Sequence, residues 1–207
     1  MQPDPASAWR RLARPMALAA FLAALLAACA ETPPPEAFPS LTYAHLGPIR
    51  LSVDSVEVSS TFEPSFASPD VEHLFPTPPQ RAAERWALDR LVAAGGEGRR
   101  ALFIVRDARV VETPISGTGG VAGLFTTDQE ARYDATLEAE IEIRDVAGQR
   151  LAFATARVTR ALSVPEGITL DARERTWLEL TDALVRDMGA ALEKGIAKYL
   201  GAYTDRP

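Results

Sequence analysis

The clearest pattern in the chain runs from Tyr133 to Arg144. Tyr133, Ala135, Leu137, Ala139, Ile141 and Ile143 alternate strictly with Asp134, Thr136, Glu138, Glu140, Glu142 and Arg144, which predicts a strand with one buried and one polar face. Asp145 to Gly148 reads as a hairpin turn, and Leu151 to Thr159 as the returning strand. Upstream, Ala101 to Glu112 predicts another strand, whose central run Leu102-Phe103-Ile104-Val105 is apolar on both faces and suits the middle of a sheet. A first strand is expected at about 48–58 from Ile49, Leu51, Val53 and Val56, with a phase slip near Ser55 as in a bulge.

Two segments carry helical spacing instead. Ala83, Trp86, Ala87, Leu91 and Ala94 recur at three and four residues behind Thr77-Pro78, a capping hydroxyl and a first-turn proline, and Gly95-Gly96 ends the run. The second helix starts near Asp171, whose carboxylate with Glu174 resembles a capping box, and Trp177, Leu180, Leu184, Met188, Leu192 and Tyr199 carry it to about Leu200. The order is β-α-β-β-β-α. It predicts an α+β two-layer sandwich: a four-stranded, mainly antiparallel sheet with two helices on one face.

Three stretches fit no regular element. Glu31 to Pro39 holds Pro33-Pro34-Pro35 and Pro39, a composition of extended polyproline suited to a tether. Phe62 to Pro79 combines Pro64, Pro69, Pro76 and Pro78 with Phe62, Phe66 and Phe75, which implies a loop packed onto the domain. Thr113 to Arg132 is a long inter-strand loop with no charge as far as Thr127, a length uncommon in a domain unless it functions or is disordered. Its Gly119, Gly120, Val121, Leu124 and Phe125 are candidates for contact with lipid, a partner lipoprotein or a barrel wall; the alternative is that Leu124 and Phe125 fold back onto their own sheet.

Composition narrows the chemistry. The chain has 207 residues, 47% of them apolar, and a formal net charge of -6. That acidity argues against nucleic acid as a partner. One cysteine excludes an internal disulfide, a cysteine zinc knuckle and a CxxC pair. His45 and His73 stand in proline-rich surroundings with no second ligand nearby in sequence. Glu138, Glu140 and Glu142 lie roughly 6.5–7 Å apart on one strand face, a spacing that reads as a solvated face with Arg144 and Arg157 as partners rather than as an acid–base pair. Gly117-Thr118-Gly119-Gly120-Val121-Ala122 loosely matches a dinucleotide fingerprint but leads into a strand, not a helix. Trp86 and Trp177 are expected in the core, and Gly189 and Gly195 are expected to allow close packing. There is no GxSxG elbow, phosphate-binding loop or HExxH. No catalytic residue, metal or cofactor is expected.

The amino-terminal stretch is more specific. Arg10, Arg11 and Arg14 precede an apolar run from Met16 to Ala28, 13 residues long, where a membrane-spanning helix needs about 20. The run ends in Leu26-Ala27-Ala28-Cys29, which resembles the lipobox of bacterial lipoproteins. That resemblance implies removal of residues 1–28, acylation of Cys29 on sulfur and amine, and anchoring by several acyl chains, which exceeds the marginal binding of one. Ala30, where an aspartate would signal inner-membrane retention, implies periplasm-facing attachment to the outer membrane. The expected organisation is a signal peptide at 1–28, a lipidated cysteine and tether at 29–47, and one periplasmic domain at 48–203.

Tyr43 to Val58 with Gly47-Pro48, and Ala83-Glu84-Arg85-Trp86, resemble the auxiliary lipoproteins of ABC-type lipid transporters; the layout is also similar to that of the lipopolysaccharide-assembly lipoprotein that plugs a barrel. Val71-Glu72-His73-Leu74-Phe75-Pro76 with Arg85-Trp86-Ala87 is similar to an uncharacterised set of alphaproteobacterial lipoproteins. The resemblance implies a non-enzymatic accessory in envelope lipid or outer-membrane component transport, with a transporter or barrel subunit as partner. The alternatives are a structural lipoprotein linking envelope layers and a small periplasmic enzyme using carboxylates or His73. A pocket gathering His73 with two acidic residues would favour the enzyme; an apolar groove would favour lipid binding.

Overall fold

The alternating stretch at Tyr133 becomes the central strand. The computed structural model describes residues 40–115 and 129–204, arranged as β1 (Ile49–Leu51), β2 (Ser55–Ser60), α1 (Pro79–Arg90), β3 (Leu91–Ala93), β4 (Arg100–Asp107), β5 (Val110–Pro114), β6 (Gln129–Arg144), β7 (Arg150–Pro165) and α2 (Leu170–Tyr199). Strand β7 runs antiparallel to β6 along its whole length. On the other edge of β6, β4 pairs with residues 138–144 and β5 with residues 131–135, both antiparallel. Strands β4 and β5 therefore lie end to end, and β2 pairs with β4 in parallel. A separate two-stranded parallel sheet joins β1 to β3.

The α+β class is as expected, but the sheet is not four-stranded and mainly antiparallel throughout: it has five strands and is mixed. The segment expected as one strand from Ala101 to Glu112 is two, because the register with β6 shifts between Val105 and Asp107 before β5 resumes at Val110. The first expected strand also divides, at Ser52–Asp54. There the Asp54 carboxylate accepts the backbone N–H groups of Gly96 and Gly98 at 2.7 and 2.8 Å, while its own N–H donates to Arg99 O. These bonds hold the chain against the 95–99 turn. A Cβ at Gly96 would stand 2.4 Å from Ser52 O, so only glycine fits this approach.

The first helix stops at Arg90, not at Gly95-Gly96. Leu91 turns extended and Leu91–Ala93 pairs with Ile49–Leu51, exchanging helical bonds for a ladder to a distant segment. Thr77 is not its cap: Pro78 holds that position without a side-chain bond, and Thr77 O instead accepts the Thr181 hydroxyl at 3.3 Å. The second helix is capped by Thr169, whose hydroxyl accepts Ala172 N–H at 3.3 Å, in place of the expected Asp171 box.

Both helices cover one face of the sheet, with α2 on β6 and β7 and α1 on β2 and β4 beside it. Trp86 and Trp177 are core residues as expected. Trp177 stacks on Phe75 at 4.7 Å and meets Tyr133 edge-on at 5.6 Å, while Trp86 leans on Phe103 at 5.9 Å. Gly189 permits this crossing, because a Cβ there would lie 2.5 Å from Trp86 Nε1. Gly195 likewise brings α2 against Ala154. Packed structure begins ahead of residue 48: Tyr43 is buried, Asp89 accepts the Tyr43 N–H at 2.8 Å and the Thr42 hydroxyl at 3.0 Å, and Arg90 donates to Gly47 O. Among the described residues, no helix is long and apolar enough to cross a membrane.

Candidate functional site

Cys29 and the loop residues Gly119, Gly120, Val121, Leu124 and Phe125 lie outside the described residues. The flanks of that loop are described and are more regular than expected, since Thr113 and Pro114 pair with Arg132 and Ala131. The connection therefore leaves from the end of a two-stranded ladder.

The Phe62–Pro79 loop packs onto the domain, as its aromatics imply. Pro69–Val71 lies alongside β5, with Val71 N–H donating to Val110 O and Glu112 N–H to Pro69 O, each at 2.9 Å. Phe75 and Val71 anchor it in the core. Between this loop and the first turns of α1 is a cavity of about 500 Å3, within the range of small-ligand sites. Its apolar walls are Phe62, Pro64, Phe66 and Pro78; Glu72, His73, Gln80, Arg81 and Glu84 supply the polar groups.

The strongest anomaly there is Glu72. It is 2% exposed; Oε2 accepts Val110 N–H at 3.2 Å, and Oε1 has no partner. A buried oxygen in that state costs about 1–3 kcal/mol, which invites a donor. His73 Nδ1 is also buried without a partner, and the imidazole lies against the Phe66 ring at 5.3 Å. Phe66 itself is 70% exposed and takes a positive φ of 53°, a conformation unfavourable for a bulky residue. Glu84 Oε1 accepts Gln80 Nε2–H at 3.0 Å. Of the acidic residues lining the cavity, only Glu72 is near His73 in sequence, because Glu84 comes from the next element. Only folding brings Glu72, His73 and Glu84 to one cavity, and the adjacent polar pair Glu72-His73 inside an apolar loop was the available signal. His45 sits elsewhere, in the turn Ala44–Leu46. No group of three or more His, Cys, Asp or Glu among the described residues is placed to hold a metal ion.

The polar face of β6 differs from the expected solvated surface. Glu142 is 1% exposed and Glu140 9%, because arginines from neighbouring strands fold over them. Arg144 donates to Glu142 at 2.6–2.7 Å, Arg150 bridges both carboxylates at 3.2 and 3.3 Å, and Arg106 reaches Glu140 at 3.4 Å. Farther along, Arg157 joins Glu138 to Asp107. Burial and a hydrogen bond with Glu142 hold the Glu140 carboxyl above its ordinary range, against the pull of Arg106. For Glu142, burial pushes upward, but its bonds with Glu140, Arg144 and Arg150 outweigh it and leave the carboxyl below the ordinary range. As pH falls, the pair therefore takes up its first proton on Glu140.

Two expectations follow. Glu142→Gln leaves the guanidiniums short of charge and is expected to cost about 1–2 kcal/mol at pH 7, less than a fully buried pair because the arginines are a third to half exposed. Glu140→Gln removes the like charge beside Glu142 and puts an amide donor toward it, so it is expected to cost less than Glu142→Gln, under about 1 kcal/mol. The pH signs are opposite. Glu142, with its lowered value, stabilises fully above its unfolded value of about 4.3 and loses this as pH falls further, whereas raised Glu140 favours folding on the acid side and loses that as pH rises. Urea denaturation across pH 3–7 checks this; equal costs for the two variants would contradict the assignment.

No family model matches the chain, and no curated protein matches it. Among solved structures, the chain is similar to the rare lipoprotein B of Shewanella oneidensis, with 10% identity over 70% of this chain and 96% of that one and a TM-score of 0.38. It is also similar to a minor lipoprotein of Acinetobacter baumannii (10% identity, 76% and 99% coverage, TM-score 0.36). An uncharacterised lipoprotein B of Nitrosomonas europaea matches at 15% identity, 73% and 89% coverage and a TM-score of 0.34. By name, all three are bacterial lipoproteins.

Proposed function

We propose that this chain is a lipid-anchored periplasmic lipoprotein acting as a non-enzymatic accessory in the transport of envelope lipids or outer-membrane components. The observation that carries the reading is Leu26-Ala27-Ala28-Cys29 behind a basic segment and a short apolar run, followed by the proline-rich tether. In this reading Cys29 anchors the chain to the outer membrane, and residues 119–125 of the β5–β6 connection contact a transporter or barrel subunit. The aromatic and proline walls of the cavity suit an apolar ligand carried by such a protein.

A photo-crosslinking residue at Leu124 in intact cells tests the partner. The expected result is a discrete adduct containing a transporter or barrel subunit; no adduct, together with a pull-down that recovers no specific envelope protein, contradicts the accessory role. One observation favours a second reading, a small periplasmic enzyme: His73, Glu72 and Glu84 line the same cavity. A His73→Gln protein that keeps the crosslink but no longer restores the detergent resistance of cells lacking the native protein would favour that reading.

A further inference from the structure

The cavity between the Phe62–Pro79 loop and α1 carries a charge pattern that its walls alone do not require. Two carboxyl groups, Glu72 and Glu84, share it with one guanidinium, Arg81. Glu72 Oε2 accepts Val110 N–H, and the enclosed Oε1 has no partner. His73 Nδ1 adds a second buried atom without a partner. Arg81 is exposed and has no ion-pair partner among the described residues. Phe62 and Phe66 give the same space two aromatic faces.

Each of these groups limits the ligand. A carboxyl oxygen with a vacant lone pair asks for an N–H donor, and a second carboxylate nearby makes a cationic donor preferable to a neutral one. Aromatic rings also attract an ammonium over their faces. A lone guanidinium asks for an anion such as a phosphate. An apolar wall beside these groups asks for hydrocarbon. We infer that the cavity binds the aminoethyl phosphate headgroup of a phospholipid, with the ammonium toward Glu72 and Glu84, the phosphate toward Arg81, and the first part of the acyl region against Phe62 and Phe66. This inference rests on the lipid-transport reading and names its ligand class.

Isothermal titration of the full-length protein, extracted from membranes in dodecyl maltoside, tests it with soluble dibutyryl phosphatidylethanolamine, dibutyryl phosphatidylglycerol and phosphoethanolamine. The expected result is that the ethanolamine lipid binds at least tenfold more tightly than the glycerol lipid, and more tightly than phosphoethanolamine without chains. Glu84→Gln and Glu72→Gln are each expected to weaken that binding at least tenfold; Glu84→Gln, at a half-buried position, stays informative if Glu72→Gln does not fold. Equal affinity for the two lipids, or unchanged affinity in the folded variants, overturns the proposal. Equal or tighter binding of phosphoethanolamine overturns the lipid as ligand in favour of a free solute. A Leu124 crosslink to a transporter subunit without headgroup selectivity would refute this site while leaving the accessory role standing.

Discussion

Trp86→Ala is expected to destabilise the domain by about 3–5 kcal/mol, the range for deleting a large buried aromatic. The indole is completely buried on α1, rests on Phe103 of β4, and lies beneath the Arg90 guanidinium, 5.7 Å from the ring. Its loss opens a void at the place where both helices meet the sheet. The partner test is Gly189→Ala, whose methyl would enter within 2.5 Å of the indole nitrogen and is expected to cost about 1–3 kcal/mol by overpacking. Because the two positions touch, the costs are not additive: in the Trp86→Ala background the Gly189→Ala penalty is expected to vanish. Urea unfolding of the four proteins measures this. A Trp86→Ala cost below 1 kcal/mol, or strict additivity, would contradict the packing described.

The second large effect is on location. Cys29→Ala is expected to move the protein out of the membrane fraction or to leave its precursor uncleaved, because the proposed anchoring puts the acyl chains on that residue. A processed, membrane-bound Cys29→Ala protein would refute the lipobox.

The strands that dominate the sheet were legible because their signal is local. Twelve consecutive residues of β6 alternate, and a four-residue turn from Asp145 to Gly148 follows them, so no distant information is needed to place β6 and β7. The helix end was not legible for the opposite reason. Leu91, Val92 and Ala93 are compatible with either state, and what decides between them is a ladder to Ile49–Leu51, some forty residues earlier. The split at Ser52–Asp54 has the same origin, in a carboxylate that captures N–H groups from a turn beyond α1.

The polar face of β6 teaches a similar point. Alternation correctly sent Glu140 and Glu142 to the face opposite the helices, yet it says nothing of Arg106 and Arg150, which arrive from neighbouring strands and bury them. In the cavity, Glu72 and His73 are adjacent in sequence, but Arg81 and Glu84 belong to a helix that begins after several prolines. No fixed spacing links those positions, so only the packed loop reveals them together. Cys29 is the reverse case: the proposal for it rests on four consecutive residues, Leu26-Ala27-Ala28-Cys29, and needs no fold.

We propose that acyl groups on Cys29 hold this chain to a membrane, where it works. Mass spectrometry of the protein extracted from its native membranes tests the anchor. The expected species is a mature chain that begins at Cys29, lacks residues 1–28, and carries acyl chains on both the sulfur and the amine of that residue. A chain that begins elsewhere, or a Cys29 with a free thiol and an unmodified amine, would contradict it.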